Sequence, residues 1–159
     1  MARVSADPRV CAFLDALAKS EGTADLGEDG YNVLVGSEPG HVLTFVSYAD
    51  HPRRVMSIRD GLKSSAAGRY QIIAPTFDAT KRHAGVTDFS PVSQDLIAIE
   101  LLKQCGAYAL LLADNVPAAF AAAAPVWASL PGAGYGQREN KLTECLTWYS
   151  ESLTQQSAA

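Results

Sequence analysis

The sequence predicts an α+β fold that is mainly helical, with a small antiparallel β-sheet and a cleft between two lobes. Apolar residues recur with helical spacing near both ends of the chain. Between about residues 30 and 58 the pattern changes to β-branched and aromatic residues mixed with turn formers. The chain has 159 residues and no internal repeat or linker, so we expect one domain over residues 1–159.

The first predicted helix covers residues 8–20. Its apolar residues fall at i, i+3, i+4, i+7 and i+8 and form one stripe, made of Val10, Phe13, Leu14, Leu17 and Ala18. The next position on this stripe is Glu21. A carboxylate at the end of a buried face is costly unless it is paired or protonated, so the phase of the helix singles out Glu21.

The middle of the chain is expected to form a short hairpin or a three-strand ribbon between Gly30 and about Ile58. Helices follow it. Ser90 and Pro91 form a cap and a first-turn proline that open one of them. Further helices are predicted at about 74–84, 106–113, 116–128 and 137–153, and glycines make the loop before the last one flexible.

Charge and composition exclude several classes of function. The net charge of −4 argues against a general nucleic-acid binder. The chain begins without the apolar run of a signal peptide, and no segment is long enough to span a membrane, so we expect a protein made and folded in the cytoplasm. Neither the cysteines nor the histidines have metal-ligand spacing, and we expect no metal, no cofactor, buried reduced thiols and a surface or hinge position for His51.

Several short words of sequence appear in order along the chain. They are SEGT at 20–23, GYNV at 30–33, YADHPR at 48–53, KS at 63–64, AGRYQ at 67–71, DFSP at 88–91, SQD at 93–95 and WASLPGAGYGQ at 127–137. Together these words, which cover roughly residues 10–150, resemble the lambda-type endolysin family.

The resemblance implies a lysozyme-like fold and lytic transglycosylase activity on peptidoglycan. The bond cut would be the β-1,4 bond between N-acetylmuramic acid and N-acetylglucosamine, with Glu21 as the catalytic residue and formation of 1,6-anhydro ends. It further implies a monomer that stays in the host cytoplasm until a holin opens the membrane, and two lips around the cleft at about 50–63 and 130–137.

The chemistry can also be argued from the residues. Breaking a glycosidic bond requires a proton on the leaving oxygen, so the acid must be held protonated near neutral pH by an apolar setting. A hydrolase needs a second carboxylate, whereas in a transglycosylase the 6-hydroxyl of the sugar attacks and one glutamate suffices. A hydrolytic lysozyme that uses Glu21 with Asp29 or Glu28 therefore stays open, with Asp25 as another candidate for the second carboxylate, as does a non-catalytic glycan-binding or virion structural domain.

Further residues are candidates for substrate binding. They are Tyr31, Asp50, Lys63, Ser64, Arg69, Tyr70, Gln71, Tyr135 and Gln137. Amide and phenol groups can hydrogen-bond sugars, and an aromatic ring on a loop can stack on one. For Arg69, Tyr70 and Tyr135 the alternative is a structural role, in which they brace a loop or close the core.

Overall fold

A computed structural model describes residues 1–58, 61–136 and 138–158 of the chain. Within these residues, six helices and one two-stranded sheet form the fold. The helices are α1 (Pro8–Ser20), α2 (Ala74–Thr80), α3 (Pro91–Gln104), α4 (Ala107–Leu112), α5 (Val116–Ala123) and α6 (Leu142–Ala158). The strands are β1 (Met56–Ser57) and β2 (Lys63–Ser64). The predicted α+β class, mainly helical with a small antiparallel sheet, is confirmed.

Helix α1 is the central element of the core. Asp7 caps it by accepting a hydrogen bond from the Arg9 amide at 2.9 Å, and Pro8 occupies the first turn, where its missing N–H costs nothing. The predicted apolar stripe is buried, but so are residues on the other faces, including Ala12, Asp15 and Ala16. The helix therefore packs on most sides, most extensively against α6.

The sheet lies only partly where the sequence predicts it, because β1 falls at the end of the range from Gly30 to about Ile58 and β2 follows that range. Strand β1 pairs antiparallel with β2, with Met56 opposite Ser64 and Ser57 opposite Lys63. Most of the predicted ribbon makes isolated bridges instead, such as Val33 with Thr44 and Leu34 with Ala67. The predicted short hairpin or three-strand ribbon does not form over most of this range, because side chains such as Val33 and Leu34 are buried in the core and do not alternate across a pleated surface.

The later helices exist as predicted, with shifted ends. Ser90 caps α3 through the Ser93 amide, and α4 closely matches its predicted range. Helix α2 ends at Thr80, and α5 ends at Ala123, shortly before Pro125 interrupts the backbone hydrogen bonds. Helix α6 begins at Leu142 because the residues before it form a loop that bonds back to Ser129.

The histidine and cysteine predictions have mixed outcomes. His51 was expected at the surface or in a hinge, but it is buried between the rings of Phe77 and Phe89 and hydrogen-bonds the Ile72 carbonyl at 2.8 Å. Burial lowers the pKa of its imidazole. The three cysteines are free, and two of them are buried as expected, whereas Cys105 is half-buried. In the described part of the chain, no helix has the length and apolarity needed to cross a membrane.

Candidate active site

Glu21 is the residue at which α1 ends. The amides of Gly22 and Thr23 turn back to bond the carbonyls of Lys19 and Ala18, both at 3.0 Å, which is the Schellman arrangement of a helix end. This turn requires a left-handed backbone at Gly22, whose φ is +74°. The sequence SEGT therefore fixes the backbone of Glu21 against the rigid end of the central helix.

The environment of the Glu21 carboxyl favours its protonated form. The side chain is half-buried, and loss of water around it raises its pKa to about 7. The Ser129 hydroxyl opposes this effect, because it donates a hydrogen bond to Glu21 Oε1 at 2.5 Å and so stabilises the carboxylate. The result is a carboxyl that exchanges its proton near neutral pH, as a general acid and base requires.

Ser129 belongs to a group of polar side chains that joins the end of α1 to the loop before α6. Its Oγ lies 2.9 Å from Ser20 Oγ. The side-chain amide of Asn140 donates to Ser20 Oγ at 2.9 Å, to the Ser20 carbonyl at 3.0 Å and to the Ser129 carbonyl at 3.1 Å. We call Asn140, Ser20 and Ser129 the hydroxyl relay.

Glu21 opens into a cavity of about 420 Å³, here called the glutamate cavity. A cavity of about 300 Å³ shares Lys19, Gly22 and Trp148 with it, and another of about 640 Å³ shares Arg138. Because neighbouring cavities share wall residues, the three cavities adjoin one another, and Glu21 lines the middle one. We call the three adjoining cavities together the groove.

Two of the predicted sugar-binding tyrosines lie in the protein interior. Tyr31 and Tyr70 are fully buried, and their hydroxyls donate to Asp95 Oδ1 at 2.8 and 2.6 Å. Asp95 Oδ2 accepts from the amides of Arg3 and Val4 at 2.6 and 2.9 Å. This placement revises the prediction, because a fully buried phenol that is bonded to an internal carboxylate has no face left for a sugar.

Arg69 also lies inside the molecule. Its guanidinium forms a buried ion pair with Asp15 at 2.8 Å, donates to the Asp29 carbonyl and stacks on the Tyr31 ring. Asp15 accepts further hydrogen bonds, among them one from Ser152 at 2.6 Å. The contacts give Arg69 the bracing role that the sequence left open as the alternative to sugar binding.

Three other predicted contacts lie on the outer surface. Asp50 is exposed and pairs with Arg53 at 2.8 Å, and Arg53 also pairs with Asp78. Lys63 is exposed on β2, and Ser64 beside it is half-buried and accepts from the Ala66 amide. None of these three side chains lines the glutamate cavity as the structure describes it.

The remaining predicted contacts have different positions. Gln71 is half-buried with a φ of +48° and lines a separate cavity of about 130 Å³ beside Trp127. Tyr135 is exposed, and its hydroxyl donates to the Pro125 carbonyl at 2.6 Å, which anchors its loop. Gln137 lies outside the described residues.

Of the carboxylates considered as partners of Glu21, Asp25 lines the adjoining cavity of about 300 Å³, whereas Asp29 and Glu28 are engaged elsewhere. Asp29 pairs with Arg3 at 3.3 Å, and Glu28 accepts a hydrogen bond from Tyr48 at 2.9 Å. Among the described residues, the other carboxylate that lines the glutamate cavity is Glu144 of α6. Its Oε2 accepts from the Lys141 amide at 2.8 Å.

Sequence reasoning missed the residues that surround Glu21 from the far part of the chain. Ser129, Arg138, Asn140 and Glu144 all line the glutamate cavity, and none was singled out. Ser129 lies inside the word WASLPGAGYGQ, which was a usable signal. Asn140 carries no local signal, because its partner Ser20 is 120 positions away.

The chain is similar to known proteins along most of its length. The family model described as Endolysin matches residues 11–155. The endolysin of Escherichia phage lambda is 42% identical over 146 residues, which cover 89% of each chain. The endolysin of Escherichia phage P2 is 39% identical over 153 residues, which cover 91% of this chain and 92% of the relative. A structure of bacteriophage lambda lysozyme in complex with a chitohexasaccharide superposes with a TM-score of 0.85 at 39% identity and covers 94% of this chain and 97% of that one.

Proposed function

The chain belongs to the endolysin family of phage cell-wall lytic enzymes, and from this premise we propose that it is a peptidoglycan lytic transglycosylase. It cuts the β-1,4 bond between N-acetylmuramic acid and N-acetylglucosamine and leaves 1,6-anhydro ends. The observation that carries the proposal is Glu21, a half-buried carboxyl with a pKa of about 7 that lines the middle one of three adjoining cavities.

Glu21 serves as acid and then as base. In its protonated form it donates a proton to the glycosidic oxygen, and the bond from that oxygen to C1 of the muramic acid breaks. The 6-hydroxyl oxygen of the same muramic acid then bonds to C1 and closes the 1,6-anhydro ring. The Glu21 carboxylate takes the proton of that hydroxyl. The glutamate returns to its starting state, and no water is consumed.

The positions of the other carboxylates support a mechanism with one glutamate. A hydrolase places its second carboxylate about 5–10 Å from the first, across the scissile bond. Asp29 and Glu28 do not line the glutamate cavity, and each is bonded to a side chain elsewhere. An intramolecular attack needs no such residue.

The groove and the relatives support a glycan substrate. The lambda lysozyme structure that superposes on this chain holds a chitohexasaccharide, a chain of six sugars. We extend this to peptidoglycan strands along the groove. Of the predicted contacts, Asp50, Lys63, Ser64, Gln71 and Tyr135 are exposed or half-buried, and they stay part of the proposal as substrate contacts.

Mass spectrometry of the fragments released from isolated peptidoglycan tests the proposal. We expect products one water lighter than hydrolytic ones, with 1,6-anhydro ends that borohydride does not reduce. Glu21→Gln should abolish their release without lowering the melting temperature. Glu28→Gln makes the same acid-to-amide change outside the glutamate cavity, and this variant should still release the fragments. Retained cleavage by Glu21→Gln would refute the proposal.

A hydrolytic lysozyme is the second candidate, and one observation favours keeping it. Glu144 lines the glutamate cavity together with Glu21, so it is a candidate for the carboxylate that activates a water. Reducing ends on the products, together with loss of cleavage by Glu144→Gln, would support the hydrolase. Anhydro ends and retained cleavage by that variant would exclude it.

We also propose that the protein acts as a monomer and reaches the wall only after a holin has opened the inner membrane. Expression in the cytoplasm alone should then leave cells intact, and co-expression of a holin should lyse them. Lysis without a holin would contradict this route. Absence of the protein from purified virions would separate a free lysis enzyme from a virion structural domain.

A further inference from the structure

The hydrogen bonds around Asn140 have a direction that the geometry fixes. Its Nδ2 lies within 3.1 Å of the carbonyl oxygens of Ser20 and Ser129, and carbonyl oxygens only accept. The opposite orientation of the amide would place its oxygen against both of them. The Asn140 side chain therefore donates, and the hydroxyl of Ser20 at 2.9 Å accepts; because the amide has two N–H hydrogens for these three acceptors, two of the acceptors share one hydrogen in a three-centre bond.

The Ser20 hydroxyl hydrogen then has one free acceptor. The Ser129 carbonyl already accepts from the Asn140 amide N–H at 2.9 Å and from its side chain, which uses both of its lone pairs. Ser129 Oγ lies closer to Ser20 Oγ, at 2.9 Å, than the Ser129 carbonyl does, at 3.3 Å. Ser20 therefore donates to Ser129 Oγ, and the Ser129 hydrogen is left to point at Glu21 Oε1.

We propose that Asn140 is a positioning residue for Glu21, because it directs the hydroxyl hydrogens of Ser20 and Ser129 toward Oε1 of the glutamate and leaves the catalytic proton on Oε2. The inference rests on the proposed function of Glu21. Since Oε1 always receives a hydrogen bond, protonation occurs at Oε2, the oxygen without a described protein partner. The acid proton is thereby available to the glycosidic oxygen.

Other charged groups near the glutamate do not replace this control. Lys19, Arg138 and Glu144 line the same cavity, on α1, on the loop before α6 and on α6. Lys19 pairs with Glu151 at 3.2 Å, and Glu144 accepts from a backbone amide. Within the described residues, none of them forms an ion pair or hydrogen bond with Glu21, whose partner is Ser129.

The relay has a measurable effect on the acidity of the glutamate. A donated hydrogen bond stabilises the carboxylate and lowers the pKa of Glu21, against the larger effect of burial. Without the Asn140 side chain, the hydroxyls of Ser20 and Ser129 are free to rotate. The Ser129 hydrogen is then no longer held in the direction of the Glu21 carboxyl. We expect the pKa of Glu21 to rise by up to about one unit, the size of one charge-assisted hydrogen bond.

The test is an NMR titration of the Glu21 side-chain carboxyl carbon, assigned by its loss in Glu21→Gln. We expect Asn140→Ala, Ser20→Ala and Ser129→Ala each to raise the pKa. Combining Asn140→Ala with Ser129→Ala should add nothing to Ser129→Ala alone, because both act through one hydrogen bond. Asn115→Ala is the matched control: it removes an asparagine that caps α5 and should leave the pKa of Glu21 unchanged.

Ser20→Ala distinguishes two roles of Asn140: orientation of the hydroxyl hydrogens in the hydroxyl relay, and attachment of the loop before α6. It keeps the Asn140 bonds to both carbonyls and removes only the hydroxyl between Asn140 and Ser129. A raised pKa in Asn140→Ala with an unchanged pKa in Ser20→Ala would overturn the inference, as would no change in either.

The pH dependence of kcat/KM gives a second readout. In each variant that raises the pKa of Glu21, the fall of kcat/KM at alkaline pH should shift to higher pH. If Glu21→Gln still cleaves peptidoglycan, the proposed function fails, and the NMR titration still reports whether the relay acts on Glu21.

Discussion

At the scale of single residues, the acidity of Glu21 depends on two opposing contacts. Half-burial removes water and raises its pKa to about 7, and the Ser129 hydroxyl acts in the opposite direction. A group with a raised pKa in the folded state makes folding less favourable as pH rises, because the unfolded chain ionises first. The same property that suits Glu21 to acid catalysis therefore costs stability.

We predict that Glu21→Gln stabilises the protein more at pH 8 than at pH 5. The wild-type protein loses stability between the ordinary pKa of 4.5 and the folded value of about 7, whereas the variant does not titrate. After discounting for partial exposure, the difference should be on the order of 1–2 kcal/mol. Urea unfolding of both proteins at the two pH values measures it, and a gain that is equal at both would contradict the raised pKa.

The wild-type enzyme should show the same titration in its activity. Because the free enzyme must begin with a protonated Glu21, kcat/KM should fall as pH rises through about 7.

At the scale of elements, the end of α1 is the structure that carries the glutamate. The Schellman turn needs the positive φ of Gly22, and nothing lies within 4 Å of where a Cβ would be. Substitution there therefore strains the backbone without a steric clash. The position of Glu21 depends on that backbone more directly than on any side chain around it.

We predict that Gly22→Ala lowers both stability and activity. The left-handed backbone should cost roughly 1 kcal/mol, and relief of this strain moves the glutamate away from Ser129. Gly85→Ala is the matched control, since Gly85 has a φ of +70° with open space around it and lines a different cavity, which shares no wall residue with the groove. It should lose similar stability and keep its activity. Equal activity of the two variants would show that the helix end does not position Glu21.

At the scale of the whole molecule, buried charges join segments that are distant in sequence. Asp15 of α1 bonds Arg69, Ser152 of α6 and the amide of Ala2. The guanidinium is paired, but its Nε has no described partner. Removing one charge of such a pair leaves the other buried and uncompensated, so the cluster makes the fold dependent on all its segments.

We predict that Asp15→Asn costs roughly 3–5 kcal/mol of unfolding free energy. Glu151→Gln is the matched control, because it makes the same change in the pair with Lys19, whose side chains are 35% and 53% exposed. It should cost less than about 1 kcal/mol. Similar losses in the two variants, measured by urea unfolding, would show that the Asp15–Arg69 pair is not buried in solution.

Helical elements and the chemical identity of the acid were predictable from the sequence. The stripe from Val10 to Ala18 and the cap at Ser90 depend on neighbours within one or two turns, which local sequence contains. Glu21 was identified as the acid because it is the next position on the same stripe. The sheet was placed only in part, because β-branched residues such as Val33 can either pair as strands or pack into the core, and local propensity does not decide between the two.

The sequence by itself determined the helices, the family resemblance and the acid at the end of α1. Only the tertiary structure decided that Tyr31, Arg69 and Tyr70 are internal and that Ser129 and Asn140 surround the glutamate. The physical reason is range: helical periodicity and capping are set by residues within a few positions. Burial and hydrogen-bond partners are set by segments that are distant in sequence, 25 positions apart for Tyr70 and Asp95 and 120 positions apart for Ser20 and Asn140.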